Sequence, residues 1–301
     1  MAQLHPHLEL APVEFTKVIY EKKGNVAYIT FNDPENRNAT DWPGQKGLTD
    51  QYWYALDDAE FDDDIKVVVI GGNGKDFHSG HDLGGVGFIY GMGTGNKDER
   101  RASQRIRYSV DKGFFHDLAM KLFLLPKISI VKCHGACLGG GVYIPLHADL
   151  AIAANDAKFG CVEQRLGFAG SGAPVNLLMA TIGIKRALDM LLTGRIVRGE
   201  EAAQIGLVTK AVPPEELDDE VEKMAESMAL LPRDGIAIGK ATRRLIYEEW
   251  GLTNSIQDIS HTMFTNLRWE SDEYNFFKER RDKGVKAGFK GRDDRYKNKV
   301  D

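Results

Sequence analysis

The stretch from His134 to Gly172 reads HGACLGGGVYIPLHADLAIAANDAKFGCVEQRLGFAGSG. Three consecutive glycines, Gly139 to Gly141, lie between an apolar run typical of a strand and an apolar run typical of a helix. Glycines at such a turn let the backbone approach a ligand closely, and the first N–H groups of the helix are directed at negative charge. A carboxylate, Glu163, follows the next apolar run. An acid/base group beside such donors is what carbanion or enolate chemistry requires.

The composition is that of an ordinary globular protein. The 301 residues are 43% hydrophobic, which is ample for the core of one large domain or two small ones. The 44 acidic and 39 basic residues give a formal net charge of −5. A protein that binds nucleic acid normally has a basic surface, so no nucleic-acid partner is expected. No apolar run reaches the roughly 18 residues that a membrane span needs, so no membrane partner is expected either.

The N-terminal sequence and the cysteines indicate a reducing compartment. The segment MAQLHPHLELAPVEF lacks the basic and then apolar pattern of a signal peptide. Cys133, Cys137 and Cys161 are odd in number and form no CxxC pair. Free thiols are therefore expected, with neither a disulfide nor a bound metal. These features together predict a cytoplasmic protein.

Apolar and alternating runs predict a largely parallel β-sheet. The segments FTKVIYEKK and NVAYITFND flank Gly24 and indicate a β-hairpin. Four continuous apolar runs indicate strands buried on both faces, namely IKVVVIGG, ISIVKCHG, DLAIAA and LVTKAV. Before the first of these runs, GLTDQYWYALDDAEFDDDI has the apolar spacing of a helix. Strands separated by helical segments favour right-handed crossovers and an α/β fold.

Two regions differ from this pattern. Between Leu83 and Leu125, the glycine-rich segment GGVGFIYGMGTGNKDERR precedes a predicted amphipathic helix, and we expect the segment to form a loop that is mobile or covers a ligand. Beyond about residue 210 almost every segment has helical spacing, including a predicted helix through Trp269. The sequence thus predicts a core of residues 1–210 and a helical C-terminal region of residues 211–301.

Four segments, taken in order, resemble the crotonase superfamily of enoyl-CoA hydratases and isomerases. PENRNA, residues 34–39, resembles the family's CoA-binding loop, and KDFHSGHDL, residues 75–83, resembles its first oxyanion-hole loop. HGACLGGG and ADLAIAANDAKFG resemble the second oxyanion loop and the strand after it. LLTGRIVRGEEAAQIGLVTKAVP, residues 191–213, is similar to a further family signature. One glycine cluster alone would be a weak signal, but the four segments together are specific.

The resemblance implies both a fold and a chemistry. The fold would be a spiral of ββα units with a helical C-terminal trimerisation region, assembled as a homotrimer or a dimer of trimers. The substrate would be an acyl-CoA thioester, and no cofactor is expected. The backbone N–H groups of His81 and Gly140 would bind the thioester oxygen as an oxyanion hole. Arg37, Ala39 and Lys75 would contact CoA.

The sequence departs from the hydratase pattern at one position. Hydratases of this family hold and deprotonate water with two glutamates; the first position is Tyr143 here, and the second is Glu163. With Glu163 as the acid/base and Tyr143 in the pocket, we favour hydration, or hydration coupled to carbon–carbon cleavage, of a bulky unsaturated acyl-CoA. A double-bond isomerase and a hydrolase of a β-diketone-like substrate are the alternatives. A catalytically weak binding or scaffold protein is the hypothesis from another class.

Several other side chains are weaker candidates. Asp82 is more typical of a residue that orders its loop than of a base. His147 follows the tyrosine by one helical turn and is more typical of a buried, hydrogen-bonded histidine. The basic tail residues Lys286, Lys290 and Arg292 either contact CoA phosphates or form a solvated surface.

Overall fold

The structure is a computed structural model that describes residues 14–41, 46–83, 117–171, 174–253, 269–297 and 299–300, with the single positions 105, 108 and 112. The glycine-rich segment after Leu83, most of the helix predicted to follow it and most of the helix predicted to end at Trp269 lie outside the described residues.

The main sheet has the predicted parallel arrangement. Its strand order is β1-β2-β3-β4-β6-β9, and every neighbouring pair is parallel except the antiparallel hairpin β1–β2. All six residues of β3 are buried, as its continuous apolar run predicts. The strands of the described chain are β1 (Val18–Lys23), β2 (Val26–Phe31), β3 (Val67–Gly72), β4 (Ile128–Cys133), β5 (Ala136–Leu138), β6 (Leu150–Ala154), β7 (Lys158–Gly160), β8 (Val197–Arg198) and β9 (Lys210–Val212).

A smaller sheet carries the glycine-rich turn. In it β5 is parallel to β7, and β7 is antiparallel to β8. The chain leaves β4 at Cys133 and enters β5 at Ala136, so the main sheet continues directly into the small one. The strand β5 ends at Leu138, next to the three glycines. The small sheet therefore sets the position of the turn that the sequence singles out.

Helices cover the sheets and follow the last strand. Helix α1 packs on β1 and β2, and α7 packs on β2, β3, β4 and β6. The described helices are α1 (Leu48–Phe61), α2 (Leu118–Phe123), α3 (Gly140–His147), α4 (Val175–Ile182), α5 (Ile184–Thr193), α6 (Gly199–Gln204), α7 (Leu217–Ala229), α8 (Arg233–Glu249), α9 (Phe276–Lys283) and α10 (Val285–Asp294). The helices predicted before β3 and after Pro213 are thus confirmed where the structure describes them. None of the described helices is long and apolar enough to cross a bilayer.

The two C-terminal helices pack against the middle of the chain. A second hydrophobic cluster joins Phe276 and Phe277 of α9 to Leu166, which belongs to a short 3-10 helix at Val162–Leu166. Leu83 packs on the edge of the same cluster. Contacts from α9 therefore reach both the segment that contains Glu163 and the end of the predicted oxyanion loop.

One buried amide organises the loop at residues 34–39. Asn38 is fully buried, and its Nδ2 atom lies 3.0, 2.9 and 3.1 Å from the carbonyl oxygens of Asn73, Asp76 and Phe77. Its Oδ1 atom accepts a hydrogen bond of 2.8 Å from the N–H of Asp33. Its φ of 54° is left-handed, a conformation that asparagine tolerates better than most residues. One side chain thus fixes the loop at 34–39 to the loop at 73–77.

We expect Asn38→Ala to lower the free energy of unfolding by about 2–3 kcal/mol, because it leaves several buried carbonyl groups without a donor. Urea denaturation followed by circular dichroism measures this change. The control is Asn36→Ala, since the Asn36 side chain is exposed and its amide bonds only to Asp33. Equal stability of the two variants would contradict the role assigned to Asn38.

Candidate active site

The glycine turn begins the helix that carries Tyr143. Gly139 precedes α3 with a φ of 53°, and its N–H donates to the carbonyl of Gly160 at 2.8 Å. Because α3 starts at Gly140, the N–H of that residue has no acceptor within the helix. A Cβ at Gly141 would lie 2.2 Å from the carbonyl oxygen of His78. The turn therefore requires glycine so that a second loop can pack against it.

That second loop contains His81, the other predicted oxyanion residue. The carbonyl of Gly80 accepts from Thr40 N–H at 2.8 Å, and Asp82 N–H donates to the Thr40 carbonyl at 3.0 Å. In this parallel bridge the N–H of His81 faces away from Thr40. A Cβ at Gly80 would lie 2.7 Å from the Leu138 carbonyl and 3.3 Å from the Gly140 nitrogen. The structure thus brings the two predicted oxyanion segments into contact.

The side chain of His78 fixes the conformation of this loop through two hydrogen bonds. Its Nδ1 atom accepts from the N–H of Gly80 at 3.0 Å, so the ring proton resides on Nε2, which donates to Thr40 Oγ1 at 2.8 Å. Burial lowers the pKa of His78 to about 3, and the ring is neutral near neutral pH. His78 also pairs with Cys137 of β5 through its backbone. The histidine is therefore a positioning residue that joins three segments of the site.

Tyr143 and Glu163 form a hydrogen-bonded pair. The Tyr143 hydroxyl donates to Glu163 Oε1 at 2.6 Å. The other carboxylate oxygen, Oε2, is buried and has no hydrogen-bond partner in the described part of the chain. A Cβ at Gly139 would lie 3.4 Å from this oxygen, so Oε2 faces the glycine turn. One carboxylate oxygen is thus held, and the other remains available beside the oxyanion segment.

The environment of Glu163 raises its pKa to near neutral pH. Burial raises its pKa from the ordinary 4.5 to about 7, while the hydrogen bond from Tyr143 and the charge of Arg292 act in the opposite direction. Burial also raises the pKa of Tyr143, and the neighbouring carboxylate adds to this effect. The phenol therefore stays protonated, and Glu163 can both accept and release a proton near pH 7.

An apolar pocket lies next to this pair. It encloses about 540 Å³ of empty space, including its open mouth. His81, Gly140, Tyr143 and His147 line it, whereas Glu163 does not line it directly. The other lining residues come mainly from β2, α1, α2 and α3, and they are Phe31, Thr40, Leu48, Thr49, Tyr52, His78, Leu118, Ala119, Leu122 and Ile144. The predicted oxyanion residues and Tyr143 therefore share one cavity.

Two of the predicted CoA contacts, Arg37 and Ala39, lie on the loop at residues 34–39, and Lys75 lies at the start of the oxyanion-hole loop. Arg37 is exposed, and its Nε atom donates to Asp76 Oδ2 at 2.7 Å. The carbonyl of Arg37 accepts from Ser79 N–H at 3.1 Å, which places this loop beside the oxyanion loop. Ala39 is half-buried and Lys75 is exposed. The contact of these three residues with CoA stays a prediction.

The weaker candidates occupy different settings. His147 is buried, and its Nδ1 atom lies 2.7 Å from the Tyr143 carbonyl, as expected of a hydrogen-bonded histidine. Asp82 is exposed, and its backbone holds the loop. Arg292 does not lie on a solvated surface, because its side chain is buried, stacks 5.0 Å from the ring centre of Phe289 and bonds to Asp293; its contact with CoA phosphates stays a prediction. Lys286 and Lys290 are exposed.

Two features of the site carried little sequence signal. His78 lies between Phe77 and Ser79, and only its position beside a buried aromatic residue suggests burial. Arg280 of α9 donates to the carbonyl of Leu83, at the end of the oxyanion loop. The two residues are 197 positions apart, so no local pattern links them.

Comparison with known proteins yields one consistent family. The enoyl-CoA hydratase/isomerase family model matches residues 21–284. The chain is similar to a putative enoyl-CoA hydratase of Thermus thermophilus, with 32% identity over 70% of this chain and 78% of the relative. It is also similar to a trans-2-decenoyl-[acyl-carrier-protein] isomerase of Streptococcus mutans, with 26% identity over 91% of this chain and 95% of the relative.

Solved structures give the same result for the fold. The crystal structure of an enoyl-CoA hydratase from Mycobacterium smegmatis aligns with a TM-score of 0.80 and 27% identity, over 95% of this chain and 97% of the other. An enoyl-CoA hydratase/isomerase from Xanthobacter autotrophicus aligns with a TM-score of 0.79 and 29% identity, over 94% of this chain and 99% of the other. The crotonase-type α/β fold expected from the resemblance is therefore confirmed, while trimerisation through the C-terminal region stays a prediction.

We expect Glu163→Gln to stabilise the protein increasingly as the pH rises from 4.5 to 7. The folded pKa of Glu163, about 7, lies above its ordinary value of 4.5, so the folded state binds the extra proton in this range and loses stability as the pH rises. Glutamine does not ionise, so the variant escapes this loss, which is roughly 1–3 kcal/mol at pH 8. Urea denaturation at pH 5 and at pH 8 measures it, and a pH-independent difference would contradict the raised pKa.

Proposed function

Because the chain belongs to the enoyl-CoA hydratase/isomerase family, we propose that it adds water to the double bond of a 2-enoyl-CoA thioester. The observation that carries this proposal is the buried Oε2 atom of Glu163, which has no partner among the described residues and faces the glycine turn. A carboxylate oxygen in this state, with a pKa of about 7, suits a group that must take up and return a proton.

The proposed oxyanion hole consists of the backbone N–H groups of His81 and Gly140. The contact between Gly80 and the Gly140 nitrogen supports it, because it places both segments at one wall of the pocket. Negative charge develops on the thioester oxygen when a nucleophile attacks C3 of the acyl group. A preorganised donor aimed at such a charge is typically worth about 3 kcal/mol.

The proton steps use one carboxylate. Glu163 takes a proton from water while the water oxygen bonds to C3, and the electron pair of the double bond moves to the thioester oxygen as an enolate. The protonated Glu163 then returns the proton to C2, and the carbonyl re-forms. Tyr143 donates to Oε1 in both states and so keeps Oε2 directed at the reacting carbons. In the hydratase-lyase variant, Glu163 removes the proton of the 3-hydroxyl, C3 becomes a carbonyl carbon as the C2–C3 bond breaks, and the electron pair passes to the thioester enolate, which the protonated Glu163 then protonates at C2.

A double-bond isomerase is the second candidate. Moving a proton from C2 to C4 of a 3-enoyl thioester needs one carboxylate and the same oxyanion hole, and the site offers one carboxylate oxygen with no partner. The similarity to the Streptococcus mutans isomerase extends over 91% of this chain. Crotonyl-CoA, cinnamoyl-CoA and 3-hexenoyl-CoA separate the two reactions, since a hydratase converts one of the first two and an isomerase only the third.

We further propose that the protein is a homotrimer or a dimer of trimers and that Arg37, Ala39 and Lys75 contact CoA. An apolar surface on α8 supports subunit contacts, because Ile238 and Leu245 are 66% and 67% exposed. The exposed positions of Arg37 and Lys75 support contact with phosphates. Sedimentation velocity measures the oligomeric state and so tests the first proposal.

We expect Glu163→Gln to lower kcat with the preferred enoyl-CoA by about 10²–10⁴-fold, because glutamine cannot exchange the proton. Continuous absorbance at the enoyl thioester band measures the rate. The matched control is Glu222→Gln: Glu222 also accepts a hydrogen bond from a tyrosine, Tyr28, at 2.7 Å, but on the surface. Unchanged activity of the Glu163 variant would contradict its role as the acid/base, whereas absence of turnover by the wild-type protein would favour a binding or scaffold protein.

A further inference from the structure

The pocket contains a second buried tyrosine whose hydroxyl has no partner. Tyr52 lies on α1 and lines the same cavity as His81, Gly140 and Tyr143. It is only 4% exposed, and its hydroxyl oxygen is buried without a hydrogen-bond partner in the described part of the chain. A buried hydroxyl without a partner is rare in folded proteins, because its desolvation is not compensated.

The two threonines that line the same pocket bond to other groups. Thr49 Oγ1 donates to the carbonyl of Asp41 at 2.8 Å. Thr40 Oγ1 accepts from His78 at 2.8 Å. The ring of Tyr52 is fixed edge-on against Phe31, with 5.2 Å between the ring centres. Neither threonine is a hydrogen-bond partner of the Tyr52 hydroxyl in the described part of the chain, and the packed ring holds that hydroxyl in place.

We infer that the Tyr52 hydroxyl binds a neutral hydrogen-bonding group, a hydroxyl or a carbonyl, on the acyl chain of the substrate. The inference rests on the proposed function, because it places the acyl group of a thioester in this pocket. It makes Tyr52 a specificity-determining residue, while the reaction itself depends on other side chains.

The chemistry of the pocket argues for a neutral group. No Asp, Glu, Lys or Arg is found among the described residues that line it. His78, which also lines it, is neutral near pH 7. Burial raises the pKa of Tyr52, so the phenol stays protonated and can donate or accept. A carboxylate on the acyl chain would have to shed its water without a Lys or Arg among these described lining residues to compensate, whereas a hydroxyl or carbonyl needs one hydrogen bond.

The test is Tyr52→Phe, which removes only the hydroxyl oxygen. The probes are 2-enoyl-CoA thioesters of increasing chain length, each paired with its ω-hydroxy counterpart. We expect the wild-type protein to prefer the hydroxylated member at one chain length, and the variant to lose about ten- to hundredfold in kcat/KM for that member alone. A wild-type protein without such a preference at any length, or a variant that retains the preference, would overturn the inference.

Two further measurements separate other causes. Tyr54→Phe is the matched control, because Tyr54 lies on the same helix but packs against Phe15 outside the pocket, and it should keep the preference. Thermal denaturation should show Tyr52→Phe to be as stable as the wild type or more stable, since the change removes an unpaired polar group. Lower stability would mean that the hydroxyl has a partner within the protein, which contradicts the inference.

Failure of the proposed function has a different signature. Saturated acyl-CoA thioesters and their ω-hydroxy counterparts cannot react at C2 and C3, so calorimetric titration measures recognition alone. A hydroxyl preference in binding that Tyr52→Phe abolishes, without turnover of any enoyl-CoA, would overturn hydration and support the inference. Turnover of plain and hydroxylated enoyl-CoA at equal rates by the wild type and by Tyr52→Phe would overturn the inference and support hydration.

Discussion

The close approach of two backbone loops is the constraint on which the site depends. One loop contains Gly80 and the other contains Gly141. A Cβ at Gly80 would lie 2.7 Å from the Leu138 carbonyl oxygen and one at Gly141 2.2 Å from the His78 carbonyl oxygen, so neither position leaves room for a side chain. Asp76 fixes this arrangement, because its Oδ1 accepts from Ala136 N–H at 2.8 Å while its Oδ2 accepts from Arg37. These bonds and the charge of Arg37 lower the pKa of Asp76 against its burial, so it stays ionised. A buried carboxylate with two donors on different segments specifies a geometry that apolar packing alone would leave loose.

The pairing of a tyrosine with Glu163 changes the electrostatics of the site. Two neighbouring carboxylates share protons as a coupled pair, because the charge on one opposes ionisation of the other. At Tyr143 the partner is a neutral donor, so Glu163 titrates as a single group whose pKa is set by burial against one hydrogen bond. Desolvation thus gives the protein an acid/base group whose pKa lies near neutral pH. A base of this kind needs little else from the protein, which is why hydration and isomerisation remain close alternatives for the same geometry.

The sequence predicted those structural elements that local patterns of residues determine. The hairpin, the buried strand β3 and the glycine turn follow from periodicity and from residues with special backbone freedom, and all three are confirmed. The sequence did not predict the contacts between distant segments. The basic tail suggested a solvated surface, yet Arg292 is buried, with its guanidinium group over the ring of Phe289 and hydrogen-bonded to Asp293. Tyr52 has the spacing of a core residue and is one; only the three-dimensional cavity reveals that its hydroxyl lacks a partner.

The C-terminal helices belong physically to the site, although the pattern of the sequence sets them apart. Arg280 bonds to the carbonyl of Leu83, and the cluster of Phe276, Phe277 and Leu166 packs beneath the 3-10 helix of Glu163. On the same 3-10 helix, Arg165 stacks 4.7 Å from the ring centre of Tyr296. The oxyanion loop and the acid/base segment are thus braced by one structural unit. Because the oxyanion loop and the segment of Glu163 rest on the same helices, a displacement of these helices would move the loop and the segment together rather than change the distance between them.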